Sequence, residues 1–449
     1  LKTSLAQRLL AMLCLCAAFA GPACAQAPAA PAASAASASA SGFRIEPVDA
    51  AWLAALPQDP EAATQAFLQR IPADVKARSD AYFEGGYWLQ LCNFLLGLVI
   101  AGVLLQGRLS TGVRDWARRK LRRTALADGV YGGFYALAGW VLSLPLTIYQ
   151  GFIREHDYGM ATQSFGPWFG EQLIGLAVSL VVGPLVVAAL YAVLRKAGER
   201  WWLWGAVTLT ALMAVMVAVA PVFIEPMFNT YQPVPDGPVK QTVLAMARAN
   251  GVPVDNVYVF DASRQTTRVS ANVTGLFGTA AVRLNDNLLN RSTLPEIRTV
   301  MGHEIGHYAL NHIPKMMMQF GLLIAAGFLF SDWAMRHLLA RFGTRWRLSG
   351  VADVGALPLL AAVFGVFLFL ATPLSNSIIR VQEEEADLWG LNLAREPVGE
   401  AEVLLKLVEY RKAQPGPLEE LVFFDHPSAH TRIYNAMRWR AQHLPAGTP

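Results

Sequence analysis

Residues 180–220 read LVVGPLVVAALYAVLRKAGERWWLWGAVTLTALMAVMVAVA. Two apolar runs flank a short segment that carries Arg195, Lys196 and Arg200, with Trp201 and Trp202 directly after it. Crossing a bilayer takes about 20 apolar residues in a helix. Basic residues between two such runs, with tryptophans where a run meets them, are the marks of a membrane boundary. The same pattern recurs along the chain. Apolar runs of spanning length lie near residues 87–106, 131–150, 170–193, 203–224, 316–335 and 353–374. Of the 449 residues, 54% are hydrophobic and only 16% charged, where a soluble chain carries about 25% charge. Mean hydropathy is +0.34. The chain therefore reads as a polytopic helical membrane protein.

Charge placement sets an orientation. The segment after the first run holds Arg108, Arg114, Arg118, Arg119, Lys120, Arg122 and Arg123. The segment after the fifth holds Arg336, Arg341, Arg345 and Arg347. With 195–200, these three basic segments are assigned to the cytoplasmic side. Parity then puts the N-terminus, the polar stretch 225–313 and the tail 381–449 on the other side. The net charge of +4 comes with no basic tract interleaved with aromatics, so nucleic acid is not an expected partner; the lipid bilayer is.

The N-terminus, LKTSLAQRLLAMLCLCAAFAGPACAQ, has a positive n-region, an apolar h-region and a small-residue cleavage site. It reads as a secretory signal peptide, with a retained anchor as the alternative. That gives six spans plus a leader, or seven. Three of the four cysteines lie in this leader and only Cys92 follows it, so a metal site must be built from His, Asp or Glu. The expected organisation is a signal peptide (1–25), a flexible Ala/Pro/Ser-rich extracytoplasmic segment (26–76), with short amphipathic helix read over 43–80, and membrane helices 1–4 (77–224). A first part of a small α/β domain (225–313), membrane helices 5–6 (314–380) and the second part of that domain (381–449) follow. The fold class is thus mainly α, with the small domain split around the last helical hairpin. Within it GPVKQTVLAMARANG reads as helix with a Gly stop, and NVYVF and AAVRL as short strands.

The stretch TVMGHEIGHYALNH holds His303, Glu304 and His307, an H-E-x-x-H. On a helix the two histidines are one turn apart and point to one metal. Glu304 beside them is placed to take a proton from a metal-bound water. Two imidazoles and one carboxylate with an open fourth position suit zinc, one per chain. The third ligand is sought in RVQEEEADLWG, where Glu383, Glu384 and Glu385 stand in a row. Successive residues point about 100° apart around a helix, so one of the three leads the metal-facing stripe. Asp387 is four residues after Glu383 and shares its face; an Asp there accepts the second ring N–H of a zinc histidine. Spacing favours Glu383, leaving Glu384 and Glu385 as surface charges. His312 reads as a helix-end residue and His156 as a solvated loop residue.

The chain resembles the membrane-embedded zinc metallopeptidase family of the type I CAAX prenyl protease. The resemblance rests on FYALAGWVLSLPLTIYQGFIREHDYG, IEPMFNTYQPVPDG, NVYVFDAS, the HEIGH helix, the E-x-x-A-D of EEEAD, and HPSAHTRI, in that order. It implies Glu383 as third zinc ligand, Asp387 behind the site, His426 as the residue that steadies the oxyanion, and Arg432 as support of the zinc-site carboxylate. It also implies an edge strand that pairs with substrate at VSANVTG, so that Ser270, Ala271 and Asn272 contact substrate. Here the sequence departs from the family pattern: Ser270 stands where an asparagine is expected, and Asn272 serves instead if the strand shifts. Ser428 likewise replaces a proline.

The resulting expectation is an integral membrane zinc metalloendopeptidase, a hydrolase of peptide or protein substrates. It sits in a bacterial inner membrane, with the zinc site on the periplasmic side and acting on membrane or exported proteins. The alternative is a membrane-protein assembly factor or chaperone whose zinc is mainly structural. The oligomeric state is left open.

Overall fold

The computed structural model describes residues 48–274 and 281–445; the leader and residues 26–47 of the Ala/Pro/Ser-rich segment lie outside the described residues. Within residues 48–76, where the sequence reads as short amphipathic helix, the chain is ordered into helices. Asp49 and Asp59 cap two short helices, Ala50–Ala55 and Pro60–Leu68, by accepting from the backbone N–H of Trp52 and Ala62. Phe67 and Leu68 are buried against the C-terminal part of the chain, with Leu404, Leu405, Ile433 and Met437. Arg70 pairs with the buried Glu402. The low-complexity composition upstream of residue 43 does not extend to this apolar stripe.

Five helices carry the first half. Helix α1 (Ala73–Gln106) has 34 residues, about 51 Å at 1.5 Å per residue, well beyond the ~30 Å of a hydrocarbon core. Its first turns belong to the polar domain, where Ser79 Oγ donates to Arg411 O and Tyr87 Oη to Glu419. The basic segment after it folds as helix α2 (Leu109–Lys120), followed by α3 (Thr124–Ile148), α4 (Phe165–Ala197) and α5 (Trp201–Val219). Stretches 73–106, 124–157, 165–227 and 312–346 are each long and apolar enough to cross a membrane. The expected runs 170–193 and 203–224 both fall in stretch 165–227, which breaks at Gly198–Arg200, where Gly198 has φ +54°.

Residues 225–309 form the polar domain's first part. Its sheet has the order β1 (Tyr231–Pro233), β2 (Val257–Phe260), β4 (Ala281–Asn285), β3 (Ala271–Thr274). Strands β2 and β4 are parallel, and β1/β2 and β3/β4 antiparallel, so β3 is an edge. Val257, Val282 and Leu284 pack against Ile297, Met301 and Ile305 of helix α6 (Leu294–Ala309), the H-E-x-x-H helix. A capping box of Thr293 and Glu296 starts that helix.

Helix α7 (His312–Trp346) then returns through the apolar layer. The last expected span, 353–374, is not one straight helix. Helix α8 (Leu357–Leu370) gives way at Ala371 to α9 (Thr372–Ala394), bent from it by 57°. Pro373 in the first turn of α9 lacks an N–H and restricts the residue before it, which turns the chain there. Helix α9 therefore runs through residue 380 and carries Glu383 into the polar domain, closed by α10 (Pro397–Leu407) and α11 (Ala429–His443). At the opposite end the basic segments meet: Arg114 pairs with Asp353, Arg195 with Asp128 at 2.6 Å, and Arg336 with Glu199 at 2.7 Å.

Candidate metal centre and catalytic cleft

Helices α6 and α9 approach at two glycines. A Cβ on Gly390 would lie 2.8 Å from His303 N, and one on Gly302 would lie 3.0 Å from Gly390 O. This backbone contact sets the separation of residues some 80 positions apart in the chain. Across it the two Nε2 atoms of His303 and His307 lie 3.0 Å apart, with Glu383 Oε2 3.2 Å from the first and Glu383 Oε1 3.5 Å from the second. Donor atoms of these three residues all fall within 4.8 Å of one another. A tetrahedral zinc with ~2.05 Å bonds has ligand-to-ligand edges of about 3.3 Å. Glu383 Oε2 is buried and makes no hydrogen bond, as suits an oxygen that ligates a cation. The donor set fits zinc.

The outer contacts differ between the two histidines. His303 Nδ1 donates to Asp387 Oδ1 at 2.8 Å, and Arg432 Nη2 donates to the same oxygen at 2.6 Å. Arg432 is largely enclosed and also lies 3.4 Å from Glu400. His307 Nδ1 instead meets His312 Nδ1 at 2.8 Å, and His312 Nε2 donates to Glu385 Oε2 at 3.1 Å. Burial works against a charged His303, but the Asp387 and Glu383 carboxylates beside it outweigh that and lift the ring to about 10. Burial raises the Glu304 carboxyl above its ordinary value, countered by His303 and His307. It raises Glu400 as well.

A cavity of about 260 Å³ opens beside the centre, lined by His303, Glu304, Glu400, Tyr410, His426 and Arg432 among others. His426 Nδ1 lies 2.8 Å from Asp425 Oδ1, and its Nε2 3.1 Å from Glu383 Oε2. Arg380 donates to the carbonyls of Glu420 and Phe424 and so holds the turn before His426 against α9. One wall is the edge at Val269, Ser270 and Ala271. Asn285 N donates to Ser270 O at 2.9 Å, so by antiparallel alternation the N–H and C=O of Ala271 point away from β4 toward the open edge. Asn272 does not line the cavity, and its Oδ1 is buried without a partner.

The structure thus brings His303, Glu304, His307, Glu383, Asp387, His426, Arg432, Ser270 and Ala271 to one place and sets Asn272 aside. His312 is a helix-end residue, the first of α7, as the sequence reads, but it is fully buried against His307; one expectation needs correcting, since the exposed Glu385 contacts His312 and is not a plain surface charge. The left-handed turn at Asn311, φ +56°, makes the difference, since a continuous helix would put residue 312 about 140° around from 307. Asn is among the residues that tolerate that turn, so the Asn-His pair is the signal available in the sequence. Glu400 had no such local signal. His156 is exposed and bonds to the carbonyls of Phe152 and Gln163, away from the cleft.

Residues 233–440 match the model for peptidase family M48, and residues 56–230 the model described as CAAX prenyl protease N-terminal, five membrane helices. Over 56–230 this chain has four long apolar helices, α1, α3, α4 and α5, and the shorter basic α2. The chain is 28% identical over 336 residues to the "uncharacterized metalloprotease YhfN" of Bacillus subtilis (strain 168), covering 74% of this chain and 79% of that protein. It is 26% identical over 318 residues to CAAX prenyl protease 1 of Saccharomyces cerevisiae, covering 67% and 70%. The crystal structure of S. mikatae Ste24p superposes with a TM-score of 0.68 at 20% identity, over 86% of this chain and 96% of that one, a likeness of fold.

Proposed function

From the premise that this chain belongs to peptidase family M48 and is an integral membrane metalloprotease, we propose that it is a zinc endopeptidase whose metal is held by His303, His307 and Glu383. The observation that carries this reading is the convergence of those three residues on one point, with His303 and Glu304 lining a cavity walled by an open strand edge. A bound zinc supplies a water acidified to a pKa of about 7 and a polarised carbonyl.

The protein's own groups do the rest. The edge at 269–271 takes an extended peptide as an added strand, with the main-chain groups of Ala271 free to pair. Glu304, made more basic by its burial, accepts the proton of the attacking water and returns it to the leaving amine. His426, steadied at Nδ1 by Asp425, presents Nε2 toward the ligands, where a donor stabilises the developing oxyanion. Asp387 fixes the tautomer of His303 so that Nε2 keeps its lone pair for the metal, and Arg432 keeps Asp387 ionised.

We place the cleft on the non-cytoplasmic side of a bacterial inner membrane. The support is that the basic segments cluster at the helix ends opposite the cleft. Substrates are then segments of membrane or exported proteins that reach that surface. Mapping the accessibility of cysteines introduced between residues 225 and 313 tests the side; labelling from the cytoplasm refutes it. The chemistry is tested with Glu304→Gln, which should keep one zinc per chain and lose peptide hydrolysis by about 10²–10⁴-fold. Undiminished hydrolysis by that variant refutes the mechanism.

A further inference from the structure

His312 is a histidine with no accessible surface. A buried imidazole needs partners for both nitrogens, and these are His307 Nδ1 at 2.8 Å and Glu385 Oε2 at 3.1 Å. Lys315 Nζ also lies 3.2 Å from the same Glu385 oxygen. The proton positions follow from the metal reading. If Nε2 of His307 is turned to the metal, its proton resides on Nδ1 and is donated to His312 Nδ1. His312 then carries its own proton on Nε2 and donates it to Glu385. One arrangement of protons satisfies all three residues.

We propose that His312 is a positioning residue for the metal ligand His307, the middle member of a hydrogen-bonded chain His307–His312–Glu385 that fixes the ligand's ring and tautomer. This rests on the zinc reading of the site. The two ligating histidines are then held by unlike supports: His303 by a carboxylate directly, and His307 by a neutral imidazole with the carboxylate one step away. The turn at Asn311 is what brings the start of α7 back beneath α6 and makes the second support possible.

The test uses the full chain in detergent or nanodiscs. Zinc affinity is measured by competition with a chromogenic chelator, together with the visible absorption of the cobalt(II)-substituted protein. His312→Phe keeps the volume but has no acceptor and should weaken zinc by about 10–100-fold and alter the cobalt bands. His312→Asn, whose amide oxygen can take the place of Nδ1, should recover most of the affinity. Glu385→Ala, at a half-exposed position that the fold tolerates, should weaken zinc by about 3–10-fold. A merely structural role would lower the melting temperature of the zinc-free protein and leave affinity and cobalt bands unchanged; that result overturns the proposal. If His312→Phe does not accumulate, wild-type zinc affinity and cobalt bands in both His312→Asn and Glu385→Ala overturn it equally. Wild-type protein that binds no zinc would refute the metal reading itself, a failure distinct from tight zinc in the variants.

Discussion

Gly390→Ala tests whether the α6–α9 separation builds the site. The added Cβ would lie 2.8 Å from His303 N, 3.1 Å from Gly302 C and 3.2 Å from His303 Cα. All three atoms are backbone, so no side chain can rotate out of the way. Comfortable contact between such atoms is about 3.5–4.0 Å, which requires the helices to part by roughly 0.7–1.2 Å. Overpacking of this kind costs about 1–3 kcal/mol. The site is less forgiving than the fold. His303 Nε2 and Glu383 Oε2 are 3.2 Å apart, and metal-ligand distances tolerate only about ±0.2 Å. Parting the helices withdraws His303 from Glu383 and from Asp387 together. Zinc affinity, read by chelator competition, should fall by about 10–100-fold, with peptide hydrolysis falling alongside. Gly139→Ala, on α3 with nothing within 4 Å of the new Cβ, is the control and should leave zinc untouched. Gly390→Ala protein that binds zinc and cleaves peptide like wild type would refute the argument that this contact sets the geometry.

Two further outcomes separate the roles around the cleft. His426→Ala should keep zinc and lower kcat by about 10²-fold with a smaller change in KM; zinc lost with activity would instead make His426 part of the metal site. Arg432→Met leaves the carboxylates of Asp387 and Glu400 buried without their shared cation, and should destabilise the protein by about 3–5 kcal/mol. A melting temperature equal to wild type would show that the pairing contributes little.

Much of this site was legible in the chain because its spacings are local. His303 and His307, like Glu383 and Asp387, are four residues apart, and helix geometry alone puts each pair on one face. The bend at Ala371 was written in Pro373 but hidden by the unbroken apolarity of 353–374, since hydropathy reports length and not straightness. Residues 43–80 read as short amphipathic helix, and helices form there; that Phe67 packs with Leu404 and Ile433, over 300 residues later, could not be read from that local pattern.

The sequence by itself determined which segments are helical and apolar, which end of them is basic, and which residue types could hold a metal and move a proton. Those properties follow from backbone geometry and side-chain chemistry over one or two turns. The tertiary structure alone decided how close α6 and α9 come, through Gly302 and Gly390, that Ala271 and not Asn272 faces the cleft, and that His312 folds back onto His307. These depend on contacts between surfaces distant in the chain and on one left-handed residue. No local pattern encodes such distances, because they are set by what packs on the other side.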